Sequence, residues 1–529
     1  MKKVTRIAFL LLALAMAFSL VACKKANEPA TGDSGGDADS GAARRVLRVG
    51  TTEPGGGGFI PWADGTPQAG AFLVFDALTV RIGDGRDQRL QVLKSVRWAD
   101  DTTFIMELRD DVYFNNGEQM IGEDIIWSME QSVVKGTGAQ SIFGDVDFAA
   151  STVSDDGMTV TLKLFQPFGP LEENLERVRV TDKSAVENWS DDDPRWWDSP
   201  VASGPYLVSE NVSGSHTTYV KRDDYWDKSM NSPWDEIIVT YFADPTAMFI
   251  AFENAEIDIA SELSVQDAAR VMAGNVQNAA TVSYAAIPAR ANLCLFLTSD
   301  KPEFRDPKVR EAIANALDRE AIGRIAFGEG LYVLPDSVLS AGCNYYVTTG
   351  SYDRGMEYAK QCMAESNYPN GFETHVVITN MDTKVWELTQ GFLGELGITL
   401  TMEAYDFFTC FPMWMEPGRT DMNLINIPGG NPGASAYQVF VGHKDHPFSA
   451  VRITDPGYNE HYQNAIRSVD SAVQAAEYAW LQQWLFDEIN SIPIVEQLSV
   501  IAWHNNVIEL GDGNLFGTLR YHLGLTKAA

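Results

Sequence analysis

The sequence predicts an α/β protein, in which short strands and helices alternate along most of the chain. Residues 103–108 alternate apolar and polar side chains, and residues 152–164 predict a hairpin, in which 158–164 alternate after the turn Asp155-Asp156-Gly157. This two-residue period is typical of half-buried strands. Residues 307–322 instead repeat apolar side chains at the spacing of a helix. The sequence contains no internal repeat of fixed period.

Two further strands are predicted from short apolar runs that end at a turn signal. Residues 46–51 form the first, and the glycine-rich turn 55–58 follows it. Residues 237–242 form the second. Asp244-Pro245 then begins a helix, because aspartate caps a helix N-terminus and proline suits its first turn.

Three longer helices are predicted. The helix at 307–322 has Asp306 as its cap and Pro307 in its first turn. A second helix covers 123–133, and a third covers 472–489. The predicted buried face of the third consists of Ala476, Trp480, Trp484 and Leu485.

The first 43 residues predict export and attachment to a membrane. A positively charged start is followed by a short apolar run that closes with Leu20-Val21-Ala22-Cys23. Small residues before a cysteine indicate a lipoprotein signal, in which 1–22 are removed and Cys23 is acylated. Residues 23–43 are rich in Gly, Ala, Ser and Asp, which is typical of a flexible linker. We therefore expect the protein to be lipid-anchored on the outer face of the bacterial cytoplasmic membrane.

Composition excludes some classes of partner. The formal net charge of -32 argues against nucleic acid, which requires basic patches.

Four cysteines remain after Cys23, and an exported protein can pair them, although sequence alone leaves the pairing open. They are Cys294, Cys343, Cys362 and Cys410.

Six segments together resemble one family, the extracellular solute-binding proteins of the oligopeptide, dipeptide and nickel type, which serve ABC importers. One pair is Gly204-Pro205-Tyr206 with Asp224-Tyr225-Trp226 downstream. The strongest match is 296–310, which runs into 317–320. The remaining segments, in the family's order along the chain, are 112–125, 352–372, 393–398 and 491–494.

The resemblance implies a periplasmic-binding-protein-like fold, in which two lobes enclose a ligand and a hinge joins them. We expect the second lobe to cover 290–500, and the chain to cross between lobes near 289–295 and 498–503. The first lobe would consist of 44–75, 196–289 and 501–529, and a subdomain inserted in it would cover 76–195. The implied protein is a monomer that captures a small solute, a peptide by preference, and delivers it to membrane permease subunits. It is not an enzyme and needs no cofactor or metal.

The predicted ligand site departs from the family at one point. Peptide-binding members carry an aspartate for the peptide's amino terminus in the stretch matching 423–433, which contains no acid here. Glu53 or Asp406 is a candidate replacement. The remaining candidate ligand contacts are aromatic, amide or glycine residues of segments that approach the cleft in the family: Trp386, Tyr405, Trp414, Asn426, Gly429, Asn431, Tyr437 and Trp503.

Alternative functions remain open at this point. The same fold binds nickel chelates or oligosaccharides, and His443-Lys444-Asp445-His446 is the one clustered set of possible metal ligands. A secreted enzyme is a further class, but the GxSxG, HExxH and P-loop patterns are absent from the sequence. A surface sensor or adhesin would have the same fold as an importer component.

Overall fold

Strands and helices alternate throughout the part of the chain that the structure describes. The structure is a computed structural model, and it describes residues 44–52, 58–62, 68–82, 87–135, 140–228, 232–426, 452–509 and 527–528. The strands are β1 (Val46–Thr51), β2 (Thr79–Ile82), β3 (Asp87–Leu90), β4 (Leu93–Asp100), β5 (Thr103–Leu108), β6 (Val146–Val153), β7 (Thr159–Leu164), β8 (Tyr206–Val212), β9 (His216–Lys221), β10 (Glu236–Tyr241), β11 (Ile259–Ala260), β12 (Val282–Leu297), β13 (Tyr332–Val333), β14 (Glu373–Thr379), β15 (Thr399–Tyr405), β16 (Met422–Asn426), β17 (Ser491–His504), β18 (Ile508–Glu509) and β19 (Lys527–Ala528).

The helices lie between these strands. They are α1 (Gln68–Val74), α2 (Gly122–Lys135), α3 (Gln140–Phe143), α4 (Lys183–Val186), α5 (Arg195–Asp198), α6 (Pro245–Glu253), α7 (Val265–Met272), α8 (Pro307–Ala316), α9 (Arg319–Ala326), α10 (Gly355–Glu365), α11 (Thr383–Glu395), α12 (Phe407–Met415), α13 (Pro456–Arg467) and α14 (Ser471–Asp487). Short 3-10 helices cover Gly169–Arg177, Ala279–Thr281, Pro302–Arg305 and Asn380–Asp382.

The main sheet is held together by two long strands. Its strand order is β16-β12-β17-β11-β1-β10-β9-β8, and β13 pairs with β17 beside this path. β1 is parallel to β10 and β11, whereas β12 and β17 are antiparallel to each other over most of their length. At one end β17 pairs with β11, and at the other end β12 pairs with β16. The two long strands therefore connect two separate halves of the sheet.

Each half of the sheet has its own hydrophobic core. The first core surrounds β1 and β10 and includes Leu47, Val49 and Ile237. The second core surrounds α8 and α11 and includes Ile313 and Leu393. Burial of apolar surface is the main favourable term in folding, so a compact unit forms around each core. The two cores therefore define two lobes, which the two long strands join.

A third core lies over the separate four-stranded sheet β4-β5-β7-β6. It continues from this sheet and α2 into α13 and α14, which are far away in sequence. Phe104 and Leu171 represent the first part of this core, and Tyr458 and Leu481 represent the second. The inserted sheet and the late helices of the chain therefore share one core, in which α13 contacts the 3-10 helix Gly169–Arg177.

The strand predictions are confirmed. β1 covers the predicted 46–51, and β5 covers the predicted 103–108. β6 and β7 form the predicted hairpin, in which Gly157 takes a φ of +76° that favours glycine. β10 is followed by α6, whose cap is Asp244 as predicted.

Two helix predictions are wrong in part. The predicted helix 307–322 is two helices, α8 and α9, because the Asp318 side chain accepts from the Ala321 backbone N–H and caps the second one. The buried face predicted for 472–489 is wrong at Ala476, which is exposed. Leu485 is buried as predicted, and Trp480 and Trp484 are half-buried and pack against the third core. The centre of the buried face lies at Tyr478 and Leu481, which the prediction left out.

The four cysteines of the body are buried, and none of them is joined in a disulfide. They are Cys294, Cys343, Cys362 and Cys410. Burial raises the pKa of the Cys294 thiol to about 12, which keeps it protonated and unreactive at neutral pH.

The predicted domain boundaries stay a prediction, although the first predicted crossing coincides with a register shift of β12 between Pro288 and Asn292.

A buried carboxylate joins the first lobe to the inserted sheet. Asp76 is fully buried and accepts hydrogen bonds from Gln91 Nε2 at 2.6 Å, Tyr225 Oη at 2.9 Å and Trp226 Nε1 at 2.8 Å. Burial raises the pKa of Asp76 to about 6, and the hydrogen bonds partly oppose this rise. The Tyr225-Trp226 pair noted in the sequence is therefore held in place by this carboxylate.

We predict that Asp76 makes the protein less stable as pH rises from 4 to 7. Its pKa is higher in the folded chain than the ordinary value of 3.8, so the protonated form is favoured by folding and its contribution is lost as pH passes about 6. The gap between these two pKa values corresponds to about 3 kcal/mol. Urea unfolding of Asp76→Asn should show a smaller loss over this range than the wild-type protein. Equal losses in both would contradict the assignment, and exposed Asp101→Asn is the control.

Candidate functional site

A cavity of about 350 Å³ lies between the inserted part of the chain and a segment of the second lobe. Its volume lies within the range of small-molecule sites, and it is open to solvent rather than enclosed. One wall is the 3-10 helix Gly169–Arg177, and the other is the segment 343–346. The described lining residues are Glu173, Cys343, Asn344, Tyr345 and Tyr346.

The Gly169–Arg177 helix presents Glu173 to the cavity because its apolar residues face the other way. Leu171 and Leu175 are fully buried in the third core, whereas Glu173 is half-buried. Asn174 is buried as well, and its Nδ2 donates to the Pro170 carbonyl at 2.6 Å, which tightens the helix. The carboxylate is therefore carried on a short, internally bonded element.

The opposite wall is attached to the two long strands of the main sheet. Asn292 of β12 donates from Nδ2 to the Ser337 carbonyl at 2.9 Å. Ser340 Oγ donates to Oε1 of buried Glu496 on β17 at 2.8 Å. Asn292 and Glu496 are partners in the β12–β17 register, so the segment leading to the cavity is fixed at the crossing between lobes.

Tyr345 has an uncommon backbone conformation at this site. Its φ is +63°, in the left-handed region that bulky residues rarely occupy. Gln482 holds the backbone there, because its Nε2 donates to the Tyr345 carbonyl at 2.7 Å and its Oε1 accepts from the Val347 N–H at 3.1 Å. The Tyr345 ring packs against Tyr478, with 4.9 Å between ring centroids.

The side chains of the two walls meet at Glu173. Tyr345 Oη donates to Glu173 Oε1 at 2.8 Å, and Asn344 Nδ2 lies 3.4 Å from the same oxygen. Tyr346 points to a different partner and donates to Asp336 Oδ1 at 2.5 Å. Burial and this carboxylate raise the pKa of Tyr346, so its hydroxyl stays protonated at neutral pH.

The Gly169–Arg177 wall and the chain just before it are also joined to the end of α13, outside the cavity. Arg467 at the end of α13 donates from Nη1 to Asp145 Oδ2 at 2.7 Å and to the Pro167 carbonyl at 2.9 Å. Gly169 approaches Ser468 so closely that a Cβ at position 169 would lie 1.8 Å from the Ser468 carbonyl oxygen. The contact is therefore tight, and a residue with a side chain does not fit at position 169.

The predicted ligand contacts lie elsewhere in the described part of the chain. Trp386 is buried in the second core, and Trp503 is buried in the first. Trp414 belongs to α12, is buried, and donates from Nε1 to the Val377 carbonyl at 2.9 Å. Tyr405 is half-buried and donates to Glu403 Oε2 at 2.8 Å, and Asp406 caps α12. These residues do not line the cavity, and as ligand contacts they stay predictions.

Asn426 ends β16, where it pairs with Leu293 beside the register shift of β12. The other predicted residues lie outside the described part of the chain: Cys23, Glu53, Gly429, Asn431, Tyr437, His443 and His446.

Within the described residues, no group of three or more His, Cys, Asp or Glu side chains is placed to hold a metal ion. None of the helices described there has the length and apolar character of a membrane span.

Sequence reasoning missed the residues that line the cavity. Glu173 belongs to none of the segments that resemble the family, and the same holds for 343–346. The available signal was the adjacent pair Tyr345-Tyr346 in a polar loop, because aromatic side chains with polar tips are common in binding sites. That signal does not identify Glu173, which is 172 positions away from Tyr345.

The fold has two lobes joined by paired strands, and a cavity lies between elements that are distant in sequence. These two features are typical of two-lobed binding proteins. The chain belongs to the bacterial extracellular solute-binding proteins of family 5, whose model, described as the family's middle region, matches residues 89–448. The family resemblance inferred from the six sequence segments is therefore confirmed, as is the two-lobed α/β fold.

Individual relatives are distant. A provisionally named ABC transporter peptide-binding protein of Brucella ovis is 23% identical over 358 residues, which cover 62% of this chain and 64% of the relative's length. The substrate-binding protein CtaP of Listeria monocytogenes has a similar structure, with a TM-score of 0.77 at 18% identity, covering 92% of this chain and 99% of CtaP. DppA of Helicobacter pylori in complex with the peptide STSA has a TM-score of 0.69 at 18% identity, covering 92% and 98%.

We predict that Arg467→Ala loosens the contact between α13 and the chain that leads into the Gly169–Arg177 wall. The substitution removes two hydrogen bonds from a charged donor, which are worth roughly 1.5–3 kcal/mol each when partly buried. Hydrogen exchange of the amides in 169–177 should become faster in this variant. Arg354→Ala is the control, because exposed Arg354 bonds to Tyr358 within the second lobe. Unchanged exchange in Arg467→Ala would show that this contact does not hold the Gly169–Arg177 wall in place.

Proposed function

We propose that the protein is the substrate-binding component of an ABC importer, which captures a small solute, a peptide, and delivers it to a membrane permease. The observation that carries the proposal is the cavity between Gly169–Arg177 and 343–346, because its walls come from different parts of a two-lobed fold. Membership of the solute-binding family supports this reading. The names of the Brucella relative and of DppA support a peptide as the solute.

The arrangement of the walls explains how a solute would be retained. A ligand that contacts both walls has a higher affinity for the state in which they are together, and it shifts the population toward that state. The Arg467–Asp145 contact stabilises the same state without touching the ligand. The permease can then distinguish loaded from empty protein by the position of the lobes.

The lining of the cavity suits a polar solute. A carboxylate, an amide and two phenol groups offer hydrogen bonds, and the tyrosine rings offer flat apolar surface. A peptide presents the complementary groups, namely backbone N–H and C=O, an ammonium and side chains of variable size. Solute binding requires no chemical step, and we propose no enzymatic activity.

The N-terminal sequence supports a location beside the permease. We propose that Cys23 is acylated and that residues 24–43 connect the lipid to the folded body. Multiple acyl chains are needed for stable attachment, since a single chain anchors only marginally. The tether raises the effective concentration of the solute-binding body near its permease.

We predict that peptides raise the melting temperature of the purified body, residues 45–529. A ligand that binds the folded state alone stabilises it by about 2.7 kcal/mol at a concentration of 100 times the Kd. A thermal-shift screen with short peptides, nickel chelates and oligosaccharides distinguishes the three ligand classes. No shift with any peptide would contradict the proposed solute, and a shift with only one of the other classes would identify the alternative.

We predict that Cys23→Ala releases the protein from the membrane fraction. The variant lacks the thiol that would be acylated, so a body without another membrane attachment should become extractable by buffer. Fractionation followed by immunoblotting measures the distribution, and Cys294→Ala is the matched control because that cysteine is buried in the body. Membrane retention of Cys23→Ala would refute lipid anchoring.

A further inference from the structure

We propose that a second cavity of the protein binds the phosphate group of a small soluble molecule. The cavity has a volume of about 310 Å³ and lies between β3, the end of β5 and the segment 226–228. It shares none of the described residues that line the proposed solute cavity, so the inference adds a separate ligand to the proposed function. The described lining residues are Arg89, Leu90, Gln91, Arg109, Trp226, Asp227 and Lys228.

The charge of this lining is the first argument. Three of the described lining side chains are cationic and one is acidic, in a protein whose formal net charge is -32. Arg109 forms an ion pair with exposed Asp111, which lies outside the lining, and Arg89 lies beside Asp227. These two acids balance two of the three cations, so a positive charge remains. A cleft with a surplus of one sign of charge attracts a ligand of the opposite sign.

Other acids near the cavity have cationic partners that do not belong to its lining. Asp110, the neighbour of Arg109, lies 3.3 Å from Lys94 Nζ. Asp224 accepts from Arg222 Nε at 3.0 Å. These two carboxylates therefore act mainly on Lys94 and Arg222, and the cations of the lining keep their surplus.

The hydrogen-bonding state of Arg89 is the second argument. Its Nη2 lies 3.6 Å from Asp227 Oδ2, which is too far for a hydrogen bond, and its buried Nε donates to no acceptor among the described residues. A buried N–H without an acceptor is unfavourable, because it has lost its hydrogen bonds to water. Nε and Nη2 form one edge of the planar guanidinium, and two phosphate oxygens can accept from such an edge together. A phosphate that draws Arg89 toward the cavity would therefore satisfy this donor.

Lys228 and Arg109 supply further positive charge around the same space. Lys228 is exposed, and its Nζ donates to the Asp223 carbonyl at 3.1 Å, which leaves two of its three protons for other acceptors. Arg109 donates from Nε and Nη2 to Asp111, and its guanidinium lies 4.7 Å from the centroid of the Trp226 ring. The cations thus come from three separate segments. Such an arrangement suits a phosphate, whose oxygens point in several directions, better than a planar carboxylate.

Two of the remaining walls are held in place by buried Asp76. Gln91 Nε2 and Trp226 Nε1 both donate to its carboxylate. Gln91 Oε1 accepts from the Ala77 N–H at 3.1 Å, so both ends of the Gln91 amide are fixed. These walls are ordered before a ligand arrives, and a preorganised site loses less free energy on binding.

The test measures the binding of inorganic phosphate, glycerol 3-phosphate and acetate by calorimetry in a phosphate-free buffer. The body 45–529 is suitable, because it contains all of the described strands and helices and their cores. We expect both phosphates to bind about tenfold or more tightly than acetate, and added salt to weaken their binding by screening. Arg89→Gln and Lys228→Gln should each weaken phosphate binding about fivefold or more, because each removes one positive charge from the lining.

Arg97→Gln is the matched control, because Arg97 is an exposed arginine of β4 that is not among the described lining residues. It removes the same charge from the same part of the chain and should keep the wild-type affinity for phosphate. Lys228 is exposed, so Lys228→Gln tests the inference even if Arg89→Gln is unstable. Vesicles of phosphatidylcholine and phosphatidic acid are a further probe, because they present the phosphate as a lipid headgroup. The net charge of -32 opposes binding to such an anionic surface, and we expect none.

The outcomes separate this inference from the proposed function. Phosphate binding that is weakened in Arg89→Gln or Lys228→Gln but kept in Arg97→Gln supports the site. No binding of either phosphate, equal binding of acetate, or binding that both variants leave unchanged overturns it. Vesicle binding that Arg89→Gln abolishes, without binding of glycerol 3-phosphate, overturns the soluble ligand in favour of a lipid headgroup. A peptide-induced rise in melting temperature should be the same in Arg89→Gln as in the wild-type protein, so either proposal can fail without the other.

Discussion

The pairing of β12 with β17 is the constraint on which the rest of the structure depends. These strands connect both halves of the main sheet, so each lobe is attached to the other through them. Where their register shifts, Asn292 and Glu496 hold the segment that continues to Tyr345. One wall of the cavity is therefore fixed at the crossing, and the other wall is carried by the inserted part of the chain.

Buried polar contacts, rather than apolar packing alone, determine how these parts are oriented. Asp76 joins the first lobe to the turn before β4, and Arg467 joins α13 to the inserted sheet. Apolar cores tolerate small displacements, whereas hydrogen bonds between defined atoms do not. The continuous third core supplies contact area, and these polar groups select one arrangement of it. Such an arrangement suits a protein whose function depends on the relative position of its lobes.

Much of the fold could be predicted from the sequence because its signals are local. The hairpin β6–β7 follows from alternation and from Asp155-Asp156-Gly157, and the start of α8 follows from Asp306 and Pro307. The end of α8 cannot be read from the apolar pattern, because that pattern continues through Asp318, which caps the next helix. The buried face of α14 is centred on Tyr478 and Leu481, and Trp480 lies at its edge, where the His461 ring stacks on it with 3.6 Å between centroids.

The cavity could not be predicted because its residues meet only through the tertiary fold. Glu173 and Tyr345 belong to segments without a recognisable motif, and their contact depends on the packing of the inserted sheet against α13 and α14. The sequence suggested Glu53 or Asp406 as acids for the ligand, and the structure instead has Glu173 in the cavity and Asp406 as a helix cap.

A crystal structure of the body with a bound peptide tests the central claim most directly. The account predicts ligand density between Gly169–Arg177 and 343–346, whereas density confined to another part of the molecule would contradict it.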